Sequence, residues 1–450
     1  MNRFLAASLI ASTALIAPHQ VQAQDADVAA LRAQIDALQA QIEVMAARLD
    51  QMEASEAAPA SAAAQAPAPA TAAAPADDGV EISFAGAPEI TAPGGWSFKP
   101  FGRLNMDVGT VSLPDALGRP DGFGSELRRA RLGMEGDIPG GFGYKIEVDF
   151  AANTVELTDA FVTYGDGGLT LTAGQHNTHQ SMEELSSDNW TAFIERAAFT
   201  DAFGFERRLG FSAQYSAGDV ILQGGVFSDN SEDLPGKNWS VDGRAVYAPK
   251  VGDTQLHFGG SLHLTNLADG GTVRYRQRPQ VHFTAERPLS TPTLAADSEF
   301  GMGLETALVS GRFHAAGEAF WQTVNVPAGS ADPTFFGGFV EVGYYLTDGD
   351  SRGYRDGRWN RTRPANPVDE GGAGAWQVNL RYDYLDLNDG AIVGGTQDGY
   401  FASLIWVPTD YTRLTLNYGH LEYADAAFAL PDGGRSWSAD VLALRGQVDF

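Results

Sequence analysis

The chain contains no cysteine. An exported form of it needs no disulfide chemistry and has to be held closed by backbone hydrogen bonds instead. Past the N-terminus no stretch reaches the roughly 18 consecutive apolar residues of a membrane-crossing helix. If the mature chain spans a bilayer, it therefore does so as strands. Positive charge is also scarce. The net charge is −27, which argues against nucleic acid as a partner. Lysine supplies only four of the 30 basic side chains, Lys99, Lys145, Lys237 and Lys250. No serine-histidine-carboxylate pattern, zinc signature or nucleotide loop is present, so neither an enzyme nor a bound cofactor is expected. His176, His179 and Glu183 lack the helical spacing that would make them a metal-ligand set.

Four compositional regions follow one another. Residues 1–23 read as a signal peptide: Arg3 precedes a short apolar core from Phe4 to Ala17, and Val21-Gln22-Ala23 forms a small-residue cleavage site. In 24–53 the apolar residues Val28, Leu31, Ile35, Leu38, Ile42, Met45, Leu49 and Met52 alternate spacings of 3 and 4. A seam of that period is buried only against another helix, which predicts an α-helical coiled coil of two or three strands. An amphipathic helix lying on the chain's own barrel is the alternative reading. Residues 54–78 form an Ala/Pro-rich linker, because repeated proline blocks helix and sheet alike.

From 79 to 450 the pattern changes to segments of about ten residues that alternate apolar and polar, with aromatics near the segment ends. In the last segment Leu442, Leu444, Val448 and Phe450 share one face, and Arg445, Gln447 and Asp449 share the other. Outer-membrane barrels show this alternation, with short turns on the periplasmic side and long loops outside. Turn lengths resolve the count to sixteen strands. They lie near 96–111, 125–138, 142–152, 154–166, 168–176, 206–217, 219–229, 239–249, 253–266, 297–309, 312–326, 334–347, 374–388, 397–407, 410–424 and 435–450. The expected fold is all-β, a sixteen-stranded antiparallel transmembrane barrel with an N-terminal coiled coil. A barrel of that size keeps an aqueous interior. Residues 266–296 become one long outer loop, and 347–373 a long connection on the periplasmic side.

The arginines cluster. Arg274, Arg276 and Arg278 fall at i, i+2 and i+4, one face of an extended chain. Arg352, Arg355, Arg358, Arg361 and Arg363 crowd the periplasmic connection. On 125–138 strict alternation turns Arg129 and Arg131 inward and puts Arg128 on the lipid side. Arg103 and Lys145 also face the lumen, opposite Asp107, Glu135, Glu147, Asp149 and Asp159. Guanidinium rows in a narrow passage attract anions and offer them successive hydrogen-bond forks. Asn177–Phe205 is a further long loop, of the kind that folds inward in pores of this size, and carries Glu183, Glu184, Asp188, Glu195 and Arg196.

The strings RRARLGMEGDI (128–138), YKIEVDFA (144–151), TDAFVTYG (158–165), GQHNTHQSMEELSSDNWTAFIERA (174–197) and GAWQVNLRYDYLDLND (374–389) together resemble the phosphate-selective porin O and P family over residues 80–450. The resemblance implies a trimeric sixteen-stranded porin of the Gram-negative outer membrane with inward-folded loops. It implies the loop arginine role for Arg274, Arg276 and Arg278, and an inward-folded turn at 352–363. Where the family places phenylalanine and lysine after the GQ pair, this chain has His176 and Asn177. The expected partners are small anionic solutes such as phosphate, with lipid and lipopolysaccharide around a homotrimer. Two other functions stay open: a general or cation-preferring porin, and a structural tether built on the coiled coil.

Overall fold

A period-two alternation of apolar and polar side chains gives strands whose two faces meet different surroundings. The computed structural model describes residues 79–231, 238–327 and 331–450. The segments 1–23, 24–53 and 54–78 lie outside the described residues.

Sixteen antiparallel strands make one closed wall. They are β1 (Trp96–Ser112), β2 (Gly122–Ile138), β3 (Phe142–Asp149), β4 (Glu156–Asp166), β5 (Leu169–Asn177), β6 (Arg207–Ala217), β7 (Val220–Phe227) and β8 (Trp239–Tyr247). Then follow β9 (Thr254–Asn266), β10 (Ser298–Ser310), β11 (Phe313–Asn325), β12 (Thr334–Tyr345), β13 (Ala375–Asp389), β14 (Ile392–Thr409), β15 (Thr412–Ala424) and β16 (Trp437–Asp449). The wall closes where β16 pairs with β1, from Asp440 opposite Ser112 to Asp449 opposite Arg103. Just past that register Gly102 and Phe450 exchange two backbone hydrogen bonds of 3.0 Å. A hairpin of Glu81–Phe84 and Pro88–Ala92 continues the sheet from the start of β1. Every expected strand is present. The largest difference is β14, which starts at Ile392 because Gly390 and Ala391 alone make the tip joining it to β13.

The wall is apolar outside and polar inside. On β16, Leu442, Leu444, Val448 and Phe450 point outward and are 39–49% exposed, while Arg445, Gln447 and Asp449 are buried inside. Aromatic pairs mark both edges of the outer apolar belt. Trp376 and Trp406 stack at 5.4 Å near the short-turn end, and Trp321 and Phe336 meet at 5.2 Å near the long-loop end. That is the surface of a lipid-embedded barrel.

Strict alternation fails at one place on β2. Asn105 faces Arg129 and Met106 faces Leu127, so Arg128 is an extra residue in a β-bulge. Arg128 and Arg129 therefore both turn into the lumen, and the expected lipid-side position of Arg128 is wrong.

Loop 178–206 enters the lumen carrying two short helices, α1 (Met182–Leu185) and α2 (Ala198–Ala202). Its apolar side chains pack against one side of the inner wall. Phe199 of α2 stacks on Phe320 at 6.0 Å and on Phe339 at 6.4 Å. Gly337 on β12 makes this approach possible, because a Cβ there would stand 2.4 Å from that of Phe199. Gly337→Val is expected to force α2 off the wall at a cost of about 1–3 kcal/mol. The midpoint of urea unfolding in detergent should fall; an unchanged midpoint would count against this docking.

Candidate permeation path

Most of the wall arginines hold the inward loop in place. Arg445 on β16 donates to both oxygens of Asp107 at 2.7 Å, to the Ile194 carbonyl at 2.5 Å and to Glu195 at 3.1 Å. Arg128 adds a bidentate pair with Glu195 at 2.9 and 3.1 Å. Arg381 on β13 bridges Glu183 of α1 at 2.7 Å and Glu341 of β12 at 2.6 Å, with its guanidinium over the rings of Phe193 and Phe339. Arg413 reaches the carbonyls of Asn189 and Thr191. Bidentate guanidinium contacts are strong and directional, so the loop is fixed from several sides of the wall.

The long periplasmic-side connection, 346–374, enters from the opposite end. Its hairpin of Gly353–Arg355 and Arg358–Asn360 meets the inward loop, where Trp359 donates its backbone N–H to Ser186 Oγ at 3.0 Å. Arg244 on β8 holds the hairpin tip by donating to the Gly357 carbonyl at 2.8 Å.

Two lumen cavities lie on either side of the inward loop. The one toward the long loops is about 490 Å³ and includes Arg128, Glu195, Asp201 and Arg278 in its lining. The one toward the short turns is about 520 Å³ and includes Arg103, Arg131, Lys145, Arg355 and Arg358. Arg129, Asp188, Arg196 and Arg207 line both, so they stand at the waist between them.

The arginines expected along the route divide into three groups. Arg103, Arg129, Arg131 and Lys145 do reach the lumen, but each has an acidic partner. Arg103 pairs with Glu147 at 2.9 Å and Asp188 at 2.6 Å, Arg129 with Asp188, Arg131 with Asp149 at 2.7 Å, and Lys145 with Asp159 at 3.3 Å. The triplet 274–278 does not share one face toward the path. Arg274 is exposed and donates to Ser290 and the Thr291 carbonyl, and Arg276 is exposed on the same side. Only Arg278 turns into the cavity, since the two-residue ladder of Arg276–Gln277 with Leu289–Ser290 ends before it and Pro279 follows. Arg352 is buried outside both cavities, donating to the Trp190 carbonyl at 2.6 Å, whereas Arg355 and Arg358 face the short-turn cavity.

This layout, a closed barrel with an inward loop and arginines in a polar lumen, coincides with a family assignment. The model of the family described as phosphate-selective porin O and P matches residues 98–450. The chain belongs to that family. An uncharacterized protein of Caulobacter vibrioides is 50% identical to this porin over 385 residues, covering 82% of this chain and 77% of its own. Porin O of Pseudomonas aeruginosa is 26% identical over 360 residues, 71% of this chain and 80% of its own. An anion-selective porin from Comamonas acidovorans has a TM-score of 0.51 at 14% identity, spanning 79% of this chain and all of its own. The trimer form of OmpT from Vibrio cholerae also scores 0.51, at 10% identity, with the same coverage. Identities this low speak for the fold alone. The porin is an outer-membrane channel protein of a Gram-negative bacterium.

Several of the porin's lumen residues had no clear signature in the sequence. Arg207 pairs with Asp159 at 2.5 Å, and Arg381, Arg413 and Arg445 anchor the loop. The alternation on β16 did turn Arg445 inward, but its partners lie hundreds of residues away. At the waist, burial disfavours ionisation of Asp188, yet Arg129 and Arg103 outweigh it and hold the carboxyl well below the usual range. The waist therefore carries a fixed carboxylate among its guanidinium groups.

Proposed function

We propose that this porin is a passive diffusion channel that favours small anions, phosphate among them. The observation that carries the reading is the sequence of guanidinium groups along the lumen: Arg278 at the outer cavity, Arg129, Arg196 and Arg207 at the waist, and Arg355 and Arg358 at the periplasmic cavity. Arg278 makes its hydrogen bond to a carbonyl, that of Thr284, at 3.0 Å. Arg358 makes no ion pair within 4.0 Å among the described residues. Such groups keep their charge available to a passing anion. The family name and the anion-selective Comamonas porin support the same reading.

A general or cation-preferring porin is the second reading. It is favoured by Glu147, Asp149, Asp159 and Asp188, which pair with the lumen cations. Our reading also includes a homotrimer surrounded by lipid and lipopolysaccharide, consistent with the apolar outer wall and the trimer form of OmpT. It includes cleavage after Ala23 and a coiled coil over 24–53, tethered by 54–78.

The test is chloride conductance in planar bilayers, titrated with phosphate. A saturating block is expected, with Arg278→Ala weakening it severalfold. Arg274→Ala and Arg276→Ala, which turn away from the cavity, should leave it unchanged. Absence of any phosphate block would remove phosphate from the proposed solutes.

A further inference from the structure

We propose that the periplasmic-side cavity is a binding site for a small organic anion with a flat apolar body, an aromatic carboxylate by class. This deepens the anion-channel reading and rests on it.

Two kinds of chemistry face this space of about 520 Å³. The first is aromatic. Phe161 on β4 and Trp190 on the inward loop both line it and are only half-buried. An inorganic oxyanion gains nothing from an apolar ring, whereas a planar apolar solute stacks on it and removes its surface from water. The second is cationic. Arg355 and Arg358 reach in from the periplasmic hairpin, where, among the described residues, Arg355 has only Asp356, at 3.4 Å, as its ion pair.

His179 supplies an independent sign of a missing ligand. It lines the same cavity, is 7% exposed, and among the described residues neither ring nitrogen has a hydrogen-bond partner. Buried polar groups are rarely left unpaired, because the desolvation goes uncompensated. Burial lowers its pKa to about 4; Asp242 opposes the shift, and His176, Arg244 and Arg358 add to it. At neutral pH the imidazole is therefore uncharged and offers one N–H donor. A carboxylate held between Arg358 and His179, with its ring against Phe161 or Trp190, would satisfy the unpaired imidazole and cover the open part of those half-buried rings.

The experiment uses the full-length porin in planar bilayers. Chloride current is titrated with benzoate, acetate or phosphate, added to each side in turn. Benzoate is expected to block saturably at a concentration at least tenfold lower than acetate. Trp190→Ala and Phe161→Leu should each bring the benzoate-to-acetate ratio toward one, and Arg358→Ala should weaken both blocks. Phe161→Leu keeps the test decisive if the loop substitution does not fold. Equal potency of benzoate and acetate in the unaltered channel overturns this inference while the anion reading stands. A channel that carries potassium and rejects all three anions overturns that reading instead.

Discussion

Arg381→Ala is expected to release the inward loop and raise single-channel conductance, with frequent flicker between levels. Arg381 sits between Glu183 of the loop and Glu341 of the wall, and all three side chains are at most 2% exposed. Asp383, two residues along β13, accepts the Ala198 backbone N–H at 3.0 Å and so depends on the same docked loop. Removing the guanidinium leaves buried carboxylates facing one another without a counter-charge. Breaking such a buried arrangement typically costs about 3–5 kcal/mol. The closed wall has its own continuous ladder of hydrogen bonds, so the cost falls on the loop, whose attachment depends on side chains. Bilayer recordings should show larger and noisier openings than those of the unaltered protein. Limited proteolysis should find new cleavage within 178–206. A variant with unaltered conductance and proteolysis would show that the remaining contacts, those of Arg445, Arg413 and Arg103, hold the loop by themselves.

Asp188→Asn is expected to move charge selectivity in the anion direction more than any other single change at the waist. Asp188 is the carboxylate shared by both cavities, and it pairs with Arg103 and Arg129. The amide keeps the side chain's shape and an acceptor oxygen, but it frees the guanidinium of Arg129 and leaves Arg103 paired with Glu147 alone, where the path passes from one cavity to the other. One unit charge at about 4 Å in a water-like lumen is worth about 1 kcal/mol, or about fivefold in the chloride-to-potassium permeability ratio. The effect should shrink as salt rises, because screening shortens the reach of the charges. The readout is the reversal potential in a salt gradient. No shift, or a shift toward potassium, would mean that ions do not pass beside Asp188.

The wall was the legible part of this protein. Each strand has one face toward lipid and one toward water, so its alternation is written directly into the residues, as on β16. Turn lengths then gave the strand count, even though β13 and β14 are joined on the long-loop side by Gly390 and Ala391 alone. The bulge at Arg128 was not legible, since one inserted residue leaves no mark in composition yet moves a charge from lipid to lumen. The arginine triplet misled for a related reason: period two holds only while a chain stays extended, and here it ends at Arg278-Pro279. Ion pairing was hidden by distance along the chain. Arg445 finds Asp107 across 338 residues, and Arg381 finds Glu183 across 198. A count of arginines therefore overstates the positive charge that a solute meets, because many of those groups hold the loop.

The most direct test of the anion-channel account is the zero-current voltage of the purified full-length porin in a potassium chloride gradient across a planar bilayer at neutral pH. The account predicts a sign set by chloride, with chloride more permeant than potassium. A voltage of the opposite sign would show that the lumen carboxylates govern the path, and would contradict it.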